Sequence, residues 1–160
     1  MCLLPENDYQ ILKLTEAFYK QYPNPPYIEI LKKKNRAYNC LIFQTHYEYL
    51  ICIPYRSEIS HKYAYLFRNS QRSITHRSGL DYTKIVILQK TEYLDTVDAL
   101  VDKDEFNETM VNLERIKREA LTFVEDYVSY AKGYCNISPE EFKRRYSYSP
   151  LQYFHKELGI

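Results

Sequence analysis

Two apolar runs rich in β-branched and aromatic residues lie close together in the first third of the chain. Residues 37–43 and 47–53 are separated only by residues 44–46, a spacing that predicts an antiparallel hairpin. Pro54 follows the second run, and because proline cannot donate to a strand ladder, the second strand is predicted to end there. The hairpin is the clearest indication of an antiparallel sheet in the first 90 residues.

Further strands are predicted on both sides of the hairpin. Residues 9–14 predict a short strand, which leads into a helix over residues 16–22 that a cluster of prolines ends. Residues 84–88 are apolar and β-branched, as in a buried strand. Residues 55–78 are polar and basic without clear periodicity, and residues 63–67 are a candidate strand within them. A structureless stretch of this length in a compact domain is usually functional.

The second half of the chain is predicted to be helical. Apolar residues recur with a period near 3.6 over residues 110–131, which predicts one long amphipathic helix over residues 104–133. The Ser-Pro-Glu-Glu sequence of residues 138–141 is a capping box that begins a helix ending near Arg145. Pro150 begins the last helix.

These elements predict a single α+β domain over residues 1–160, with the sheet mostly in residues 9–90 and the helices mostly in residues 104–158. The four cysteines lack the spacing of a zinc site, so no metal and no other cofactor is expected. No apolar run approaches the roughly 18 residues of a membrane span. No signal peptide is visible at the N-terminus, and a cytoplasmic location is expected.

Charge is distributed unevenly along the chain. Residues 32–84 contain ten Lys or Arg against three Asp or Glu, a net charge of +7, whereas residues 91–126 contain four against eleven, a net charge of −7. A basic region opposite an acidic one indicates an anionic partner on one side of the molecule. The alternative is that the two regions neutralise each other across a shared interface.

The densest group of reactive side chains lies in residues 53–62, directly after a predicted strand. Metal-free RNA cleavage needs a base, an acid and cationic groups that hold the phosphate. Arg56 can bind phosphate oxygens in a bidentate manner, and Lys62 supplies a point charge. Ser57 can bond the scissile phosphate or relay a proton, and His61 suits acid–base work. The alternative is an ordinary solvated loop.

Two further segments are predicted to reach the same cleft. Residues 79–84 precede a buried strand, although their Gly and Asp are equally typical of a turn. Residues 32–36 precede the hairpin, where Arg36 can point into the cleft while the lysines contact phosphates. Tyrosines of the region are candidate stacking platforms for bases, with core packing as the alternative. The predicted RNA-binding residues are Lys32, Lys33, Lys34, Tyr38, Tyr55, Tyr63, Arg68, Arg72, Arg77, Asp81, Thr83 and Lys84.

The Pro-Tyr-Arg-Ser-Glu-Ile-Ser-His-Lys sequence within residues 53–62, together with the Gly-Leu-Asp-Tyr-Thr-Lys of residues 79–84, resembles the toxins of type III toxin–antitoxin systems. The broad group is ToxN/AbiQ, and the closer branch is CptN. The resemblance covers nearly the whole chain, including Arg36 and the aromatic, basic residues 142–146 and 151–154. It implies a metal-independent endoribonuclease with a strongly twisted antiparallel sheet flanked by helices, similar to the MazF and Kid toxins.

Such toxins cut cellular or phage mRNA and leave a 2′,3′-cyclic phosphate and a 5′-hydroxyl. They process their own antitoxin RNA, whose tandem pseudoknot repeats then block the active site in a toxin–RNA assembly. The resemblance therefore implies a role in plasmid maintenance, or in phage defence by abortive infection, with RNA partners and no membrane association.

The family pattern transfers to this chain at three positions. Ser57 matches the serine of the active-site turn, Arg56 occupies the neighbouring polar position, and Arg36 matches a basic residue before the hairpin. ToxN has Thr-Ser-Pro-Lys where this chain has Arg-Ser-Glu-Ile, so the roles of that threonine and lysine do not transfer. His61 and Lys62 are assigned catalytic roles from their chemistry and from the CptN-like pattern.

Two other functions are compatible with the same residues. In a non-catalytic RNA-binding module, the cations would bind phosphate without cleavage. In a protein-interaction domain, the basic and acidic regions would assemble head to tail.

Overall fold

The computed structural model describes residues 9–32 and 37–160, which form an α+β fold with a six-stranded antiparallel sheet and helices packed against it. The strands are β1 (Tyr9–Lys13), β2 (Asn39–Gln44), β3 (Leu50–Arg56), β4 (Ala64–Leu66), β5 (Gly79–Asp81) and β6 (Val86–Leu88). The helices are α1 (Glu16–Gln21), α2 (Gln71–His76), α3 (Lys103–Val111), α4 (Leu113–Ala131), α5 (Pro139–Tyr146) and α6 (His155–Leu158). Short 3-10 turns occupy Tyr82–Lys84, Thr91–Tyr93 and Pro150–Tyr153.

The predicted hairpin is confirmed and lies at the centre of the sheet. The strand order is β1-β2-β3-β5-β4, with β6 also paired to β3. The pairing of Gln44 with Leu50 makes the loop longer than expected, since residues 45–49 form it. Thr45 stabilises this loop, because its backbone N–H and its hydroxyl both donate to the carbonyl of Tyr49.

One edge of β3 pairs with two strands in succession, and the ladder between them is interrupted. Tyr55 pairs with Leu80 in β5, whereas Cys52 pairs with Val86 in β6. The two paired residues of β3 are three positions apart in the sequence, whereas their partners Leu80 and Val86 are six positions apart. The 3-10 turn Tyr82–Lys84 accommodates the three additional residues, as a bulge does on a smaller scale.

This interruption explains two differences from the sequence-based prediction. The predicted strand over residues 84–88 was placed too early, because the 3-10 turn occupies its start and β6 begins at Val86. The prediction that Pro54 ends the second strand was also wrong, since β3 continues to Arg56. Pro54 lies opposite the gap between the β5 and β6 pairings, where its missing N–H removes no ladder hydrogen bond on that side.

Helix α4 packs its apolar face against the sheet. Its residues Ile116, Ala120 and Val124 are fully buried, with the three-to-four-residue spacing of one helix face. Each large apolar side chain buried in this way stabilises the fold by about 1.5–3 kcal/mol.

The first helix is joined to the C-terminal region by an aromatic cluster. Phe18 of α1 lies 5.5 Å from Tyr93, and Tyr22 lies 5.2 Å from Phe154, measured between ring centroids. Such contacts contribute about 0.5–1.5 kcal/mol each beyond the area that they bury. Part of the high aromatic content therefore forms core.

The prediction of one long helix over residues 104–133 was wrong, because two helices are present. α3 ends at Val111 and α4 begins at Leu113, with Asn112 between them. The φ of −108° and ψ of 16° at Asn112 depart from helical values, and its side-chain amide donates to the Glu108 carbonyl that also accepts from its backbone N–H.

The capping prediction at residues 138–141 is confirmed for the N-cap. The Ser138 hydroxyl accepts from the N–H of Glu141 at 3.1 Å, and Pro139 occupies the first turn of α5. The Glu141 carboxylate instead binds Arg144 and Arg145. The predicted last helix is divided into the 3-10 turn Pro150–Tyr153 and α6.

Candidate functional site

Asp81, at the end of β5, organises the polar residues beside the interrupted ladder. Its side chain is fully buried, and its Oδ2 accepts from Arg56 Nη1 at 2.8 Å. Its Oδ1 accepts from the backbone N–H and hydroxyl of Thr83, at 2.9 and 2.6 Å, and lies 3.2 Å from His61 Nε2. The buried carboxylate therefore holds a guanidinium and an imidazole in fixed positions.

The protonation pattern of His61 follows from its two neighbours. Nδ1 accepts a hydrogen bond from the backbone N–H of Tyr63 at 3.1 Å, so it carries no proton. Nε2 is hydrogen-bonded to the hydroxyl of Thr83 at 3.3 Å and lies 3.2 Å from Asp81 Oδ1. An acid–base role for His61 therefore requires that one of these two hydrogen bonds open.

Lys84 has a structural role in this arrangement. Its ammonium donates to the carbonyl of Tyr148 at 2.8 Å and to the carbonyl and carboxylate of Glu29 at 3.3 and 3.2 Å. An ammonium has three donors, and these acceptors use all of them. Lys84 joins the 3-10 turn to the segment after α5 and has no N–H left for a phosphate.

An open cleft of about 410 Å³ lies beside this network. We call it the arginine cleft; its lining includes Arg56, His61, Thr83, Arg144, Arg145 and Tyr148. Arg145 is paired with Asp126 and Glu141, whereas among the described residues the ion pair of Arg144 is with Glu141, and its side chain is 61% exposed. The guanidinium groups line the cleft while their carboxylate partners Asp81 and Asp126 lie outside its lining. Glu29 also lines the cleft, where it is paired with Lys84.

Ser57 lies in a different cleft, of about 620 Å³. We call it the serine cleft; its lining includes Lys13, Ala37, Asn39, Ser57, Arg72 and Asp98. Successive residues of a strand point to opposite faces, so Tyr55 and Ser57 line the serine cleft while Arg56 lines the arginine cleft. The structure thus separates two neighbouring residues that the sequence analysis placed in one site.

The serine cleft brings together residues from separate segments of the chain. Arg72 of α2 lines it together with Ser57, and Ala37, which directly follows Arg36, also lines the cleft. Arg36 itself, with Lys33 and Lys34, lies outside the described residues. Residues 95–102 contribute Asp95, Asp98 and Asp102, so the lining combines cations and a hydroxyl with carboxylates.

Two buried glutamates of α3 hold the polar segment after β4, and the sequence analysis missed both. Glu105 accepts from the hydroxyls of Ser70 and Ser78 and pairs with Arg72 at 3.1 Å. Glu108 accepts from Tyr65 and from two backbone N–H groups of this segment. A signal was present, because Glu105 and Glu108 fall on the face that carries the apolar residues of the predicted helix.

The ion pair between Arg72 and Glu105 joins the basic and acidic regions of the chain. At this point the two regions neutralise each other, as the alternative reading of the charge distribution predicts. α2, which no sequence pattern predicted, begins at a Ser70 N-cap whose oxygen accepts from the N–H of Ser73 at 2.9 Å.

The candidate stacking tyrosines differ in accessibility. Tyr55 is buried, its hydroxyl is 2.9 Å from that of Thr109, and burial raises its pKa, so it is neither a platform nor a base near neutral pH. Tyr63 is half-buried and donates to Glu141 at 3.0 Å. Tyr38 is half-buried beside the apolar residues of β2 and β3.

The remaining predicted cations are exposed. Lys62 lies over the ring of Tyr63, with 5.6 Å between Nζ and the ring centroid, and Lys32 lies over that of Tyr19 at 5.1 Å. Arg77 donates to the carbonyl of His61 at 3.3 Å. Arg68 lines a smaller cleft between β4 and α3.

Glu58 has a clear structural role that the sequence did not explain. Its φ of 58° places it in the left-handed region, and its carboxylate is 2.6 Å from His76 Nδ1. The N–H of Ile59 donates to the carbonyl of Arg77 at 3.2 Å. These contacts attach the turn after β3 to the end of α2 and thereby connect Ser57 with the helix that carries Arg72.

Within residues 9–32 and 37–160, no group of three or more His, Cys, Asp or Glu side chains is arranged to hold a metal ion. In the same residues, no helix is both long and apolar enough to cross a bilayer.

The chain matches no known protein-family model, and neither a curated protein nor a solved structure resembles it at a significant level. The assignment of function therefore depends on the chemistry of these two clefts.

Proposed function

We propose that this protein is a metal-independent endoribonuclease, similar to the toxins of type III toxin–antitoxin systems, and that it cleaves RNA in the serine cleft. One observation carries the proposal. One open cleft is lined by Ser57, Arg72 and Ala37, although they come from three segments of the chain. The antiparallel sheet with flanking helices is compatible with the MazF-like fold that the resemblance implies.

The reaction requires attack of a ribose 2′-oxygen on the adjacent phosphorus. The new bond between the 2′-oxygen and phosphorus forms as the bond to the 5′-oxygen breaks, and the proton lost by the 2′-hydroxyl is balanced by one gained at the 5′-oxygen. The products are a 2′,3′-cyclic phosphate and a 5′-hydroxyl. Negative charge accumulates on the non-bridging oxygens, so positioned donors stabilise the transition state.

Each side of the serine cleft has a function in this scheme. The Ser57 hydroxyl donates to a non-bridging oxygen, and Arg72, held by Glu105, supplies the cationic N–H groups. Asp98, which also lines the cleft, accepts hydrogen bonds from ribose hydroxyls or base amino groups. The carboxylates thus orient the nucleoside while the scissile phosphate lies at the Ser57 and Arg72 end.

The same assignment proposes the biological partners. Substrates would be cellular or phage mRNA, and the inhibitor would be an antitoxin RNA of tandem pseudoknot repeats that the protein itself processes. A cytoplasmic toxin of this kind would act in plasmid maintenance or phage defence.

The proposal is tested by incubating the purified protein with mixed-sequence RNA in the presence of EDTA. We expect cleavage products that end in a cyclic phosphate, and a loss of at least about 100-fold in rate for Ser57→Ala, the size expected when one positioned donor is removed. Ser129→Ala, a change on α4 away from both clefts, is the matched control. Cleavage that EDTA abolishes would contradict the metal-independent mechanism, and unchanged cleavage by Ser57→Ala would contradict the site.

A non-catalytic RNA-binding module is the second candidate, and the hydrogen bonding of His61, a predicted catalytic residue, favours it. Both nitrogens of His61 are already hydrogen-bonded, which leaves neither free to transfer a proton. If the protein binds the RNA tightly but yields no cyclic-phosphate ends, this second function replaces the first.

A further inference from the structure

The arginine cleft and the serine cleft adjoin at the end of β3. Arg56 and Ser57 are consecutive residues, so their Cα atoms are only about 3.8 Å apart, yet their side chains line different clefts. An RNA strand with one phosphate at Ser57 therefore has a short path around the turn to Arg56.

Arg56 has unused hydrogen-bonding capacity at this place. A guanidinium has five N–H donors, and among the described residues its hydrogen bond goes to Asp81 alone. Its Nε is buried, and the described residues provide no acceptor for it. Because Asp81 is fully buried, it fixes the orientation of the guanidinium without occupying the cleft.

Two exposed side chains complete a site suited to a nucleotide. Arg144 binds Glu141 through Nε and Nη2, and within the described part of the chain no carboxylate or carbonyl accepts from its Nη1, which can therefore bind an anion. The ring of Tyr148 is exposed, while its backbone is held by Lys84. An anchored aromatic ring beside guanidinium groups offers a face for a base and donors for its phosphate, and the volume is in the range of small-molecule sites.

We propose that the arginine cleft binds a flanking nucleotide of the RNA strand that occupies the serine cleft. Arg56 and Arg144 bind its phosphate, and Tyr148 stacks on its base. This inference rests on the proposed function, since it places the scissile phosphate at Ser57. A strand is favoured over a free nucleotide because the two clefts adjoin at consecutive residues and Tyr148 is open to solvent.

The inference makes RNA length a determinant of affinity. An RNA that fills only the serine cleft lacks the contacts of the arginine cleft, whereas a longer RNA has both. Removal of one phosphate contact lowers affinity. It also lowers the slope of log K against log salt concentration by about 1. Removal of a stacking side chain lowers affinity without changing the salt dependence.

The experiment measures fluorescence anisotropy with RNAs of about three and about ten nucleotides, carrying 2′-O-methyl groups so that they cannot be cleaved. For Arg144→Gln and for Tyr148→Ala, we expect the affinity for the long RNA to fall about tenfold more than that for the short RNA. Arg118→Gln, an exposed arginine of α4 that lines neither cleft, is the matched control. Only Arg144→Gln is expected to reduce the salt slope.

Equal losses for both RNAs, or no loss for either, would overturn the inference. Mononucleotide binding as tight as that of the long RNA would also overturn it, because the cleft would then be a site for a free nucleotide. The proposed function fails by a different result, namely unchanged cleavage by Ser57→Ala, so the two failures are distinguishable.

Discussion

At the scale of single residues, buried carboxylates position the polar chemistry of this protein. Asp81 and Glu105 are both fully buried, and each binds an arginine that lines one of the two clefts. A buried charge with one partner removed costs several kcal/mol. The arginines are therefore held by pairs whose loss affects stability as well as any binding.

Asp81→Asn tests this dependence. The substitution removes the negative charge that pairs with Arg56 and leaves that guanidinium without its carboxylate. We expect the free energy of unfolding at neutral pH to fall by about 3 kcal/mol, measured by urea denaturation. Asp98→Asn, at an exposed position, should change it by less than about 0.5 kcal/mol. A similarly small effect of Asp81→Asn would show that the buried pair is not required.

At the scale of elements, α5 is attached to its surroundings through one carboxylate. Glu141 accepts hydrogen bonds from Arg145 and Arg144 of its own helix and from Tyr63, just before β4. These bonds lower the pKa of Glu141 from 4.5 to about 2, with Arg145 the largest cause. The carboxylate thereby links the helix behind the arginine cleft to the turn that carries His61.

This pKa determines the pH range in which α5 loses support. Because the pKa is lower in the folded state, the contribution of Glu141 is present above pH 4.5 and is lost as pH falls towards 2. We expect Glu141→Gln to lower the free energy of unfolding at pH 7 and to flatten its decline between these pH values. The adjacent, exposed Glu140→Gln is the control in urea denaturation across this range. A decline equally steep in Glu141→Gln and in the unchanged protein would contradict the assignment.

At the scale of the whole molecule, the two charged regions contact each other but do not cancel everywhere. Arg72 pairs with Glu105, whereas Lys32, Lys62, Arg68 and Arg77 remain exposed. These four cations take no part in that ion pair, and their exposure leaves them accessible to an anionic partner.

The salt dependence of RNA binding separates the nucleic-acid functions from the protein-interaction domain. If four phosphates are contacted, log K should fall with log salt concentration with a slope of about −3, as measured by anisotropy on single-stranded RNA. A head-to-tail protein assembly would instead give a slope near zero for RNA and concentration-dependent sedimentation at low salt.

Local patterns in the sequence determined much of the secondary structure. The hairpin, α1, the apolar face of α4 and the Ser138 N-cap follow from periodicity, proline placement and capping chemistry. These features depend on residues within a few positions of one another, so a single sequence contains them. The α+β class follows from the same patterns.

The arrangement of the candidate site was decided by tertiary structure. The alternation along β3, readable in principle from the sequence, sends Arg56 and Ser57 to opposite faces. Which residue meets Asp81 or Glu105 depends on the pairing of β3 with β5 and on the packing of α3, contacts between residues more than 20 positions apart. Local patterns specify elements, but the pairing of a buried charge is set only when distant elements pack and exclude water.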